Sequence, residues 1–508
     1  MPANLGDITV GKPGFIERHG LWTDEQKEAV RRIKAEIETR GLETIRVSVA
    51  DQHGILRSKT LTVRSFMSTL RNGVDFITAP FAFDTANSIV FNPFEAGGGF
   101  GHHQMSGAPD AILVPDPLTF RVLPWASGTG WILGDLYFDS GEPLPYAPRN
   151  VMRKALGELE QAGFEYFAGL EVEWYLTKLE DPMLEPEHLG SPGIPPTPPR
   201  VRAVSHGFQY LLESHLDEVD PIIQILRKNL EGAGLPLRTM EDEWGPGQQE
   251  FTFDPFPGLA AADAMVFFRT ATKQICRRHG YHATFMCKPN IPNFYASGWH
   301  LHESLLYQAT GENAFVSTDA EHPLSQVGLH FVGGILAHAN AACVFTTPTI
   351  NGYKRVKPYS LAPDRVTWGI ENRGAMVRVQ GGVNDPATHV ENRVGEPAAN
   401  PYLYMASQIV SGLDGMRQKI DPGPPSEVPY AATDRPSLPK TLMEAVNALK
   451  QDTLFREKFG NTFLDFIITL KEFEANRFLT YLESTGMKLE DTLDVVTDWE
   501  HREYFDLF

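Results

Sequence analysis

Two glutamates in an apolar stretch give the first indication of chemistry in this chain. Segment 167–176, FAGLEVEWYL, places Glu171 and Glu173 among aromatic, aliphatic and glycine residues. On a β-strand, residues two apart face the same side, with Cα atoms about 7 Å apart. We therefore expect the two carboxylates to point into one shared space, while the residues between them pack on the other face.

Three later stretches also bring polar side chains into close spacing. They are the turn 245–247 bracketed by Glu243 and Glu250, the alternating series His300, His302 and Ser304 after Gly298, and the pair Glu391 and Arg393. Each pattern is weak by itself, because acidic loops are usually solvated and two nearby histidines are common. Together the four stretches supply five carboxylates and two imidazoles from strands and turns.

This combination of side chains predicts a metal site rich in oxygen ligands. Carboxylates with few imidazoles suit Mg²⁺ or Mn²⁺, whereas zinc and iron–sulfur sites require more cysteine and histidine. Arg355, Arg373 and Arg378 lie close in sequence to the last acidic stretch. Metal ions with arginines are typical of phosphoryl transfer, which depends on positioning and on neutralising charge. No GxxxxGK motif is followed by serine or threonine, so a nucleotide would have to bind by another arrangement.

The overall composition excludes several classes of function. A length of 508 residues is sufficient for two or more domains. The net charge of -19 argues against a nucleic-acid partner and against binding to an anionic membrane. The three cysteines form no CxxC pair, and the sequence has neither a run of about 18 apolar residues nor a basic leader followed by an apolar segment. We predict a cytoplasmic protein.

The flanking sequence predicts the elements that hold the polar residues. Segment 23–41 is predicted as a helix, because Thr23 and Gln26 have the spacing of a capping box. Segment 42–63 is predicted as a β-hairpin, and residues 143–148 as a connector. The predicted divisions of the chain are an N-terminal segment and helix over 1–41, a small β-domain over 42–145 and a larger domain over 146–508.

The predicted larger domain mixes helices and strands. A helix over 147–163 leads directly into the strand that carries the first two glutamates. Residues 181–199 contain too many prolines for a helix or a central strand, and they are predicted as a loop. Amphipathic patterns over 438–452 and 461–484 predict helices, so the C-terminal third is expected to be helical.

In their order and spacing, the four polar stretches resemble the glutamine synthetase family over roughly residues 40–508. The resemblance implies an α+β fold, with an N-terminal β-grasp-like domain and a catalytic domain built around a curved antiparallel sheet. It also implies a homo-oligomer, usually a dodecamer of two stacked hexameric rings, with active sites at subunit interfaces. ATP would be the co-substrate, and each active site would hold two or three Mg²⁺ or Mn²⁺ ions.

The resemblance also implies roles for individual residues. Glu173, Glu243 and Glu250 match the ligands of a first metal beside the amino acid, and Glu171, His300 and Glu391 match those of a second metal on the nucleotide phosphates. Arg373 and Arg378 match phosphate contacts, and Arg355 and Arg393 match residues that hold glutamate carboxylates. Lys288, His302 and Ser304 match the ATP-site signature, Tyr295 and Ala296 match the glutamate-binding segment, and Glu241 is a further catalytic candidate.

The reaction implied by the resemblance has two steps. The γ-phosphoryl group of ATP is transferred to the side-chain carboxylate of L-glutamate, while metals and arginines offset the charge. A neutral amine then attacks the acyl phosphate and displaces phosphate, which gives a γ-glutamyl amide. The first step is needed because a free carboxylate is a poor electrophile.

The chain departs from the ammonia-using members of the family at several positions. Those enzymes carry a flap glutamate six residues after the arginine that matches Arg355, and this chain has Leu361 there. A leucine can neither attract ammonium nor remove its proton. The other departures are Tyr295 and Ala296 in place of Asn and Gly, Glu241 and Asp242 in place of paired histidines, and Asp84, which is one residue out of register with an ammonium-binding aspartate.

These departures predict an amine acceptor that is larger and less basic than ammonia. An arylamine is neutral at working pH and needs no anionic trap, and an apolar pocket favours it by burial. We expect Tyr295, Trp299, Tyr359 and Trp368 to offer aromatic surface near these loops. The chain therefore resembles the branch of the family that makes γ-glutamylanilides in aromatic-amine degradation, with an acceptor such as aniline.

Three alternatives stay open at this point. An ammonia-dependent glutamine synthetase would need Asp84 or Glu241 in place of the flap acid. A polyamine or alkylamine ligase would need an acidic acceptor pocket, which the acidic residues in and beside loop 181–199 would have to supply. A non-catalytic scaffold is disfavoured, because all six matched metal positions are intact.

Overall fold

The computed structural model describes residues 13–319 and 323–508. Residues 1–12, at the start of the predicted segment 1–41, lie outside the described residues. The helices are α1 (Phe15–Arg18), α2 (Asp24–Arg40), α3 (Val63–Asn72), α4 (Pro148–Gln161), α5 (Glu213–Gly232), α6 (Leu259–Arg278), α7 (Gln326–Ala337), α8 (Ala339–Thr346), α9 (Pro401–Gln418), α10 (Leu442–Gln451), α11 (Thr453–Phe459), α12 (Asn461–Thr485) and α13 (Asp498–Tyr504). The strands are β1 (Thr44–Ala50), β2 (Leu56–Thr62), β3 (Val74–Ile77), β4 (Asp110–Pro115), β5 (Arg121–Val122), β6 (Thr129–Tyr137), β7 (Phe164–Asp181), β8 (Arg200–Ala203), β9 (Leu237–Asp242), β10 (Gln248–Phe253), β11 (Phe256–Pro257), β12 (Tyr281–Thr284), β13 (Trp299–Tyr307), β14 (Trp368–Ile370), β15 (Val377–Gln380) and β16 (His389–Asn392).

The chain forms two compact units that are discontinuous in sequence. The smaller unit comprises the described part of Met1–Val49 together with Arg57–Thr78 and Pro109–Leu144. The larger unit comprises Ala50–Leu56, Ala79–Ala108 and Pro145–Phe508. The predicted division at 42–145 and 146–508 assumed contiguous segments and stays a prediction.

Local sequence signals at the start of the chain produce the expected elements. Helix α2 begins after a capping box, in which the Thr23 side chain accepts the N–H of Gln26 and the Gln26 side chain accepts the N–H of Thr23. It ends at Gly41, whose φ of 60° is left-handed and suits glycine. Strands β1 and β2 follow as sheet neighbours joined by residues 51–55. The predicted helix 23–41 and the predicted hairpin are confirmed.

The smaller unit contains a mixed, six-stranded sheet. Its order is β2-β1-β6-β4-β3, and β5 pairs with β6. Strand β1 runs parallel to β6, whereas β4 runs antiparallel to both β6 and β3. The fully buried side chains of Ile45, Val47 and Ile132 line this sheet and form part of its core. This unit is the β-grasp-like domain that the resemblance implied.

The larger unit contains a ten-stranded sheet organised by the long strand β7. The order is β14-β15-β16-β13-β7-β10-β9, and β8, β11 and β12 also pair with β7. On one edge β7 pairs with β13 and β12, and on the other with β11, β10 and β8, in every case antiparallel. Only β14 and β15 form a parallel pair among the described strands of this sheet. This is the glutamine synthetase-type sheet that was expected.

Alternation along β7 separates a core face from a polar face. Leu170, Val172 and Trp174 are buried, and the Trp174 ring packs edge-on against Phe251 at 5.4 Å between centroids. Burying each such side chain contributes about 1.5–3 kcal/mol to stability, so these apolar residues determine which face of the strand points into the core. Glu171 consequently lies on the opposite, partly solvated face, as the alternation of the sequence predicted.

The remaining predicted elements of the larger unit are present. Helix α4 leads into β7, and residues 182–199 form a loop with one short 3₁₀ turn at Pro186–His188. The two amphipathic patterns near the C-terminus correspond to α10 and α12. Among the described residues, no single helix is long and apolar enough to cross a membrane. Helices α7 and α8 meet the criterion only as a pair, and they are bent by 79°.

His338 lies at the bend between α7 and α8 and links two further helices. Its Nδ1 is 2.7 Å from Oδ2 of Asp452, which caps α11, and its Nε2 is 3.1 Å from Oδ2 of Asp414 on α9. Both ring nitrogens therefore face carboxylates, and only the doubly protonated ring can donate to both. Burial lowers the pKa of His338, but the hydrogen bonds to Asp452 and Asp414 outweigh burial and raise this pKa above its ordinary value.

The raised pKa makes this contact a pH-dependent source of stability. The contribution is complete below about pH 6.5, the ordinary pKa of histidine, and is lost as the pH rises through the raised pKa of the folded state. We expect His338→Ala to lower the free energy of unfolding by about 1–3 kcal/mol at about pH 6 and by less at about pH 9. Denaturant unfolding of both proteins at the two pH values measures the difference. Equal destabilisation at both would contradict the assignment.

Candidate active site

Neighbouring strands of the larger sheet bring the four polar stretches to one face. The facing residues in the strand register are Glu173 with Glu250, Glu171 with His300, and His302 with Glu391. Directly opposite residues on neighbouring strands share a face and lie within contact distance. Side chains from β7, β10, β13 and β16 therefore meet, although they are far apart in the sequence.

Glu171 is held by two histidines of β13. His300 Nδ1 lies 2.6 Å from Oε1 of Glu171, and His302 Nε2 lies 3.0 Å from Oε2. Burial raises the pKa of Glu171, but the hydrogen bonds from His300 and His302 outweigh it and hold the pKa well below its usual range. His302 in turn contacts His389 Nε2 through its Nδ1 at 3.0 Å. Glu171 is thus ionised and oriented by its neighbours.

Glu391 is fully buried between two arginines. Arg393 Nη1 donates to Oε1 of Glu391, and Arg378 Nη1 donates to Oε2 at 3.2 Å. Arg378 Nη2 also donates to the exposed Glu371 at 2.6 Å, so two carboxylates share one guanidinium. Burial raises the pKa of Glu391, but Arg393 and His300 outweigh burial and lower it. At this end of the cluster, arginine side chains already neutralise the charge of the carboxylate.

Glu173 is fixed by neutral hydrogen-bond donors. Its Oε2 accepts Nε2 of Gln248 and the N–H of Gly298, each at 3.0 Å. His300 Nε2 is 3.8 Å from its other oxygen. The carboxylate is therefore aimed by donors on β10 and on the segment before β13.

Glu243 and Glu250 lie at the opposite end of the cluster. In the described part of the chain, neither carboxylate has an arginine, lysine or histidine within ion-pair distance. Burial, followed by repulsion from Glu173, raises the pKa of Glu243 to about 8. Burial and the charges of Glu171 and Glu173 raise the pKa of Glu250 well above its usual range. This end carries excess acid that a bound cation would neutralise.

The donor atoms fit a hard divalent cation. Two groups have ligand atoms that all lie within 4.8 Å of one another: Glu171 with Glu250 and His300, and Glu171 with His302 and Glu391. Carboxylate oxygens with one imidazole nitrogen are a donor set suited to Mg²⁺ or Mn²⁺. Glu171 belongs to both groups. The predicted ligand sets are Glu173 with Glu243 and Glu250, and Glu171 with His300 and Glu391. The two geometric groups include His302, which is not a predicted ligand, and lack Glu173 and Glu243. The predicted sets stay predictions.

A cavity of about 640 Å³ opens in front of these carboxylates. The predicted site residues on its wall are Glu171, Glu173, Glu241, Glu243, Glu250, Lys288, Tyr295, Ala296, His300, Arg355, Leu361, Arg373 and Arg393. The predicted site residues outside this lining are His302, Ser304, Arg378 and Glu391. Ser304 shares the strand face of His302. His302 contacts Glu171, and Arg378 contacts Glu391, through the hydrogen bonds described above. Most of the predicted residues are thus brought into one chamber.

Three arginines, Arg355, Arg373 and Arg393, lie on the basic side of the cavity. Arg355 donates from Nη1 to the Arg393 carbonyl at 2.8 Å, and its Nη2 lies 3.1 Å from Nε2 of His300. A Cβ atom at Gly298 would lie 2.5 Å from Arg355 Nη2, so any larger residue here would displace the guanidinium from this position. The exposed side chain of Arg373 adds a further charge on the wall. This side is suited to bind carboxylates or phosphates.

The structure also describes the positions at which the chain was predicted to depart from ammonia-using members of the family. Leu361 lines the cavity with 47% of its surface exposed, and its carbonyl accepts from Arg393 at 3.4 Å. Asp84 is buried outside this lining and forms an ion pair with Arg477 at 2.6 Å. Glu241 lines the cavity. Of the two acids considered as substitutes for the flap acid, only Glu241 faces this chamber.

Several wall residues escape sequence reasoning. Tyr210 and Trp244 line the cavity, and Tyr210 comes from a loop with no periodic pattern. His389 lies outside this lining and contacts His302. It could have been found from the sequence, since it lies two residues before Glu391 on the same strand. The expectation that Trp299 and Trp368 offer aromatic surface is wrong, because both indoles are buried in the core at 0% and 4% exposure. Tyr295 and Tyr359 are exposed, at 46% and 81%.

Comparison with known proteins identifies related sequences and structures. Residues 145–489 match the family model described as glutamine synthetase, catalytic domain. The chain is 50% identical over 501 residues to gamma-glutamylanilide synthase from Acinetobacter sp, which covers 98% of this chain and 99% of the relative. It is 30% identical over 490 residues to glutamate–isopropylamine ligase from Pseudomonas sp, which covers 96% and 100%. A solved structure described as a GmaS/ADP complex has a TM-score of 0.73 at 27% identity, covering 92% of this chain and 98% of that chain.

The raised pKa values at the acidic end predict proton release on metal binding. At about pH 7 a carboxyl group with a pKa of about 8 is mostly protonated, and a cation must displace that proton. We expect Mn²⁺ binding to release about one proton or more at about pH 7, and less as the pH rises above the pKa. Calorimetric titration in buffers of different ionisation enthalpy measures this number.

Glu243→Gln should reduce the release, because the amide has no acidic proton to lose. The matched control is Glu312→Gln, an exposed glutamate outside the cavity lining. It should behave like the wild type. Binding of Mn²⁺ by the wild type without proton release would contradict the protonated state assigned to this end.

Proposed function

Because the chain belongs to the glutamine synthetase family, whose members are ATP-dependent carbon–nitrogen ligases, we propose that it joins the γ-carboxylate of L-glutamate to an aromatic amine such as aniline. The product would be a γ-glutamyl amide. The observation that carries the choice of amine is Leu361, an apolar side chain on the cavity wall at the position where an acid would be required to capture ammonium. The 50% identity to a gamma-glutamylanilide synthase supports the same choice.

The basic side of the cavity would bind the amino acid and the nucleotide phosphates. Arg355 and Arg393 are proposed to hold the carboxylates of glutamate, and Arg373 to contact the transferred phosphoryl group. Lys288, His302, Ser304 and Arg378 are proposed for the nucleotide side. Two or three Mg²⁺ or Mn²⁺ ions, held by Glu171, Glu173, Glu243, Glu250, His300 and Glu391, would neutralise phosphate charge and orient the transferred group.

Each bond change in the proposed reaction can be followed. An oxygen of the γ-carboxylate attacks the γ-phosphorus of ATP, the bond to the bridging oxygen breaks, and ADP leaves. The amine nitrogen then uses its lone pair to attack the carbonyl carbon of the acyl phosphate. Phosphate leaves with the oxygen that came from glutamate, and the nitrogen loses one proton. Glu241 is proposed as the base for that proton, because it lies on the cavity wall.

The acceptor is identified by its charge. Ammonium is cationic at neutral pH, and an enzyme that uses it must bind the cation and then remove a proton. An arylamine is a weak base and arrives neutral, with its lone pair available. A leucine at position 361 is compatible with a neutral arylamine, but it can neither bind ammonium nor remove its proton.

An acceptor that carries charge remains the second candidate. Glu241 is a partly exposed acid on the wall, and a relative named for isopropylamine is 30% identical. Ammonia and alkylamines are therefore included as competitors in the test below.

The family membership also supports proposals for the whole protein. We propose the domain division 42–145 and 146–508, a homo-oligomer of two stacked hexameric rings with active sites at subunit interfaces, and a cytoplasmic location. Aromatic-amine degradation is the proposed context of the reaction. No nucleic-acid or membrane partner is proposed.

A panel of amines tests the acceptor. Phosphate release is followed with L-glutamate, ATP, Mg²⁺ and, in turn, aniline, ammonia, isopropylamine and a polyamine. We expect aniline to give a kcat/KM at least about tenfold above that of each competitor, since burial of a phenyl ring favours it by about 1.5–3 kcal/mol. A higher kcat/KM for ammonia would contradict the proposal.

A substitution at position 361 tests why aniline is preferred. Leu361→Glu should lower kcat/KM for aniline and raise it for ammonia, each by about tenfold, because the new carboxylate attracts a cation and disfavours an apolar ring. Leu361→Met is the matched control that keeps an apolar side chain, and it should retain the preference for aniline. No change in the ratio with Leu361→Glu would remove Leu361 from the explanation.

A further inference from the structure

Tyr210 and Trp244 form a stacked pair of aromatic side chains on the cavity wall. Their ring centroids are 5.1 Å apart and their planes are 7° from parallel. Both residues line the cavity, and they are 43% and 41% exposed. Large aromatic surface is costly to leave in water, and a preformed exposed pair inside a cavity marks a surface suited to an apolar or aromatic ligand.

The pair is held in place by its two loops rather than by core packing. The N–H of Phe208 donates to the Trp244 carbonyl at 3.1 Å, and the N–H of Leu211 donates to the Asp242 carbonyl at 3.2 Å. Below them, the N–H of Gly247 donates to Ser205 Oγ at 2.9 Å. The loop that carries Tyr210 is thus fastened on both sides of the ring to the turn that carries Trp244.

Backbone strain in the same loop shows that its shape is imposed. Phe208 and Leu211 have φ values of 62° and 54°, in the left-handed region that side-chain-bearing residues rarely adopt. Such strain persists only when surrounding contacts determine it, and it gathers at ligand sites. The two strained residues lie on either side of Tyr210, so the strained backbone orients this ring toward the cavity.

The pair lies close to the carboxylates at one end of the site. The backbone N–H of Trp244 donates to Oε2 of Glu243 at 3.2 Å. Burial is the largest cause of the raised pKa of Tyr210, which is about 12, and the negative charges of Glu243 and Glu250 raise it further. The pair therefore adjoins the acidic end of the carboxylate row. Glu391 and Arg378, which are proposed for the nucleotide side, are outside the cavity lining. Lys288 and Arg373, which are proposed to contact the nucleotide and the transferred phosphoryl group, line the same cavity as the pair, so the test below measures the KM for ATP as well.

We infer that Tyr210 and Trp244 form the binding wall for the aromatic ring of the acceptor amine. The inference rests on the proposed function and deepens it, since it names the residues that select a planar ring. The ring would stack on the exposed face of the pair, with Leu211, Tyr295 and Leu361 providing further apolar contact around the same cavity. The amino group would then point toward the carboxylate row, where the acyl phosphate forms.

The test uses substitutions that remove or keep the aromatic ring. Trp244→Ala and Tyr210→Ala should each raise the KM for aniline by about tenfold to a hundredfold, because stacking and apolar burial are lost. Trp244→Phe and Tyr210→Phe keep a ring and should restore most of the affinity. The KM values for ATP and glutamate should change by less than about threefold in all four variants, since neither Tyr210 nor Trp244 is proposed to contact these substrates. Phe94→Ala, an 85% exposed aromatic outside the cavity lining, is the matched control for removal of an aromatic ring.

The outcomes separate the inference from the proposed function. If the wild type prefers aniline but the alanine variants leave its KM unchanged, or raise the KM for ATP instead, the inference is overturned while the ligase function stands. If the wild type does not ligate aniline, both fail. Thermal melting of each variant identifies any loss of folding. If an alanine variant does not fold, Trp244→Leu and Tyr210→Leu replace it, because leucine fills more of the space of the lost ring but cannot stack. An unchanged KM for aniline in the leucine variants would also overturn the inference.

Discussion

Mutual repulsion among carboxylates on one face of the larger sheet is the constraint on which the site depends. Glu171, Glu173, Glu243, Glu250 and Glu391 cannot all be ionised side by side unless positive charge is supplied. The structure supplies it unevenly. Histidines and arginines neutralise Glu171 and Glu391, whereas Glu243 and Glu250 retain raised pKa values. The acidic end of the row is therefore the part of the site that a metal ion would stabilise most.

The rest of the larger unit holds this unfavourable arrangement together. Strand β7 presents two glutamates only because its other face is buried against aromatic core residues such as Trp174 and Phe251. Gly298 allows Arg355 to approach His300, and Gln248 fixes the direction of Glu173. The repulsion is thus balanced by apolar burial and by directed hydrogen bonds, and the same balance shapes a cavity with one basic and one acidic side.

Much of this fold was predictable from local patterns, and the resemblance to the glutamine synthetase family is confirmed. The capping box of α2, the alternation in β7 and the turn at 245–247 each depend on a few adjacent residues. The features that the sequence did not predict depend on contacts between residues far apart in the chain. No local pattern assigns residues 50–56 and 79–108 to the larger unit, pairs Asp84 with Arg477, or buries Trp299 and Trp368. The stack of Tyr210 on Trp244 likewise joins two loops whose relation only the folded chain reveals.

The central claim is that glutamate is activated as an acyl phosphate and then captured by a neutral arylamine. Glutamate labelled with oxygen-18 in its γ-carboxylate tests this directly, when it is incubated with ATP, Mg²⁺ and aniline and the phosphate is analysed by mass spectrometry. The account predicts one labelled oxygen in each phosphate released, together with γ-glutamylanilide in equal amount, because the leaving phosphate takes its bridging oxygen from glutamate. Phosphate without label, alongside formation of the amide, would contradict it.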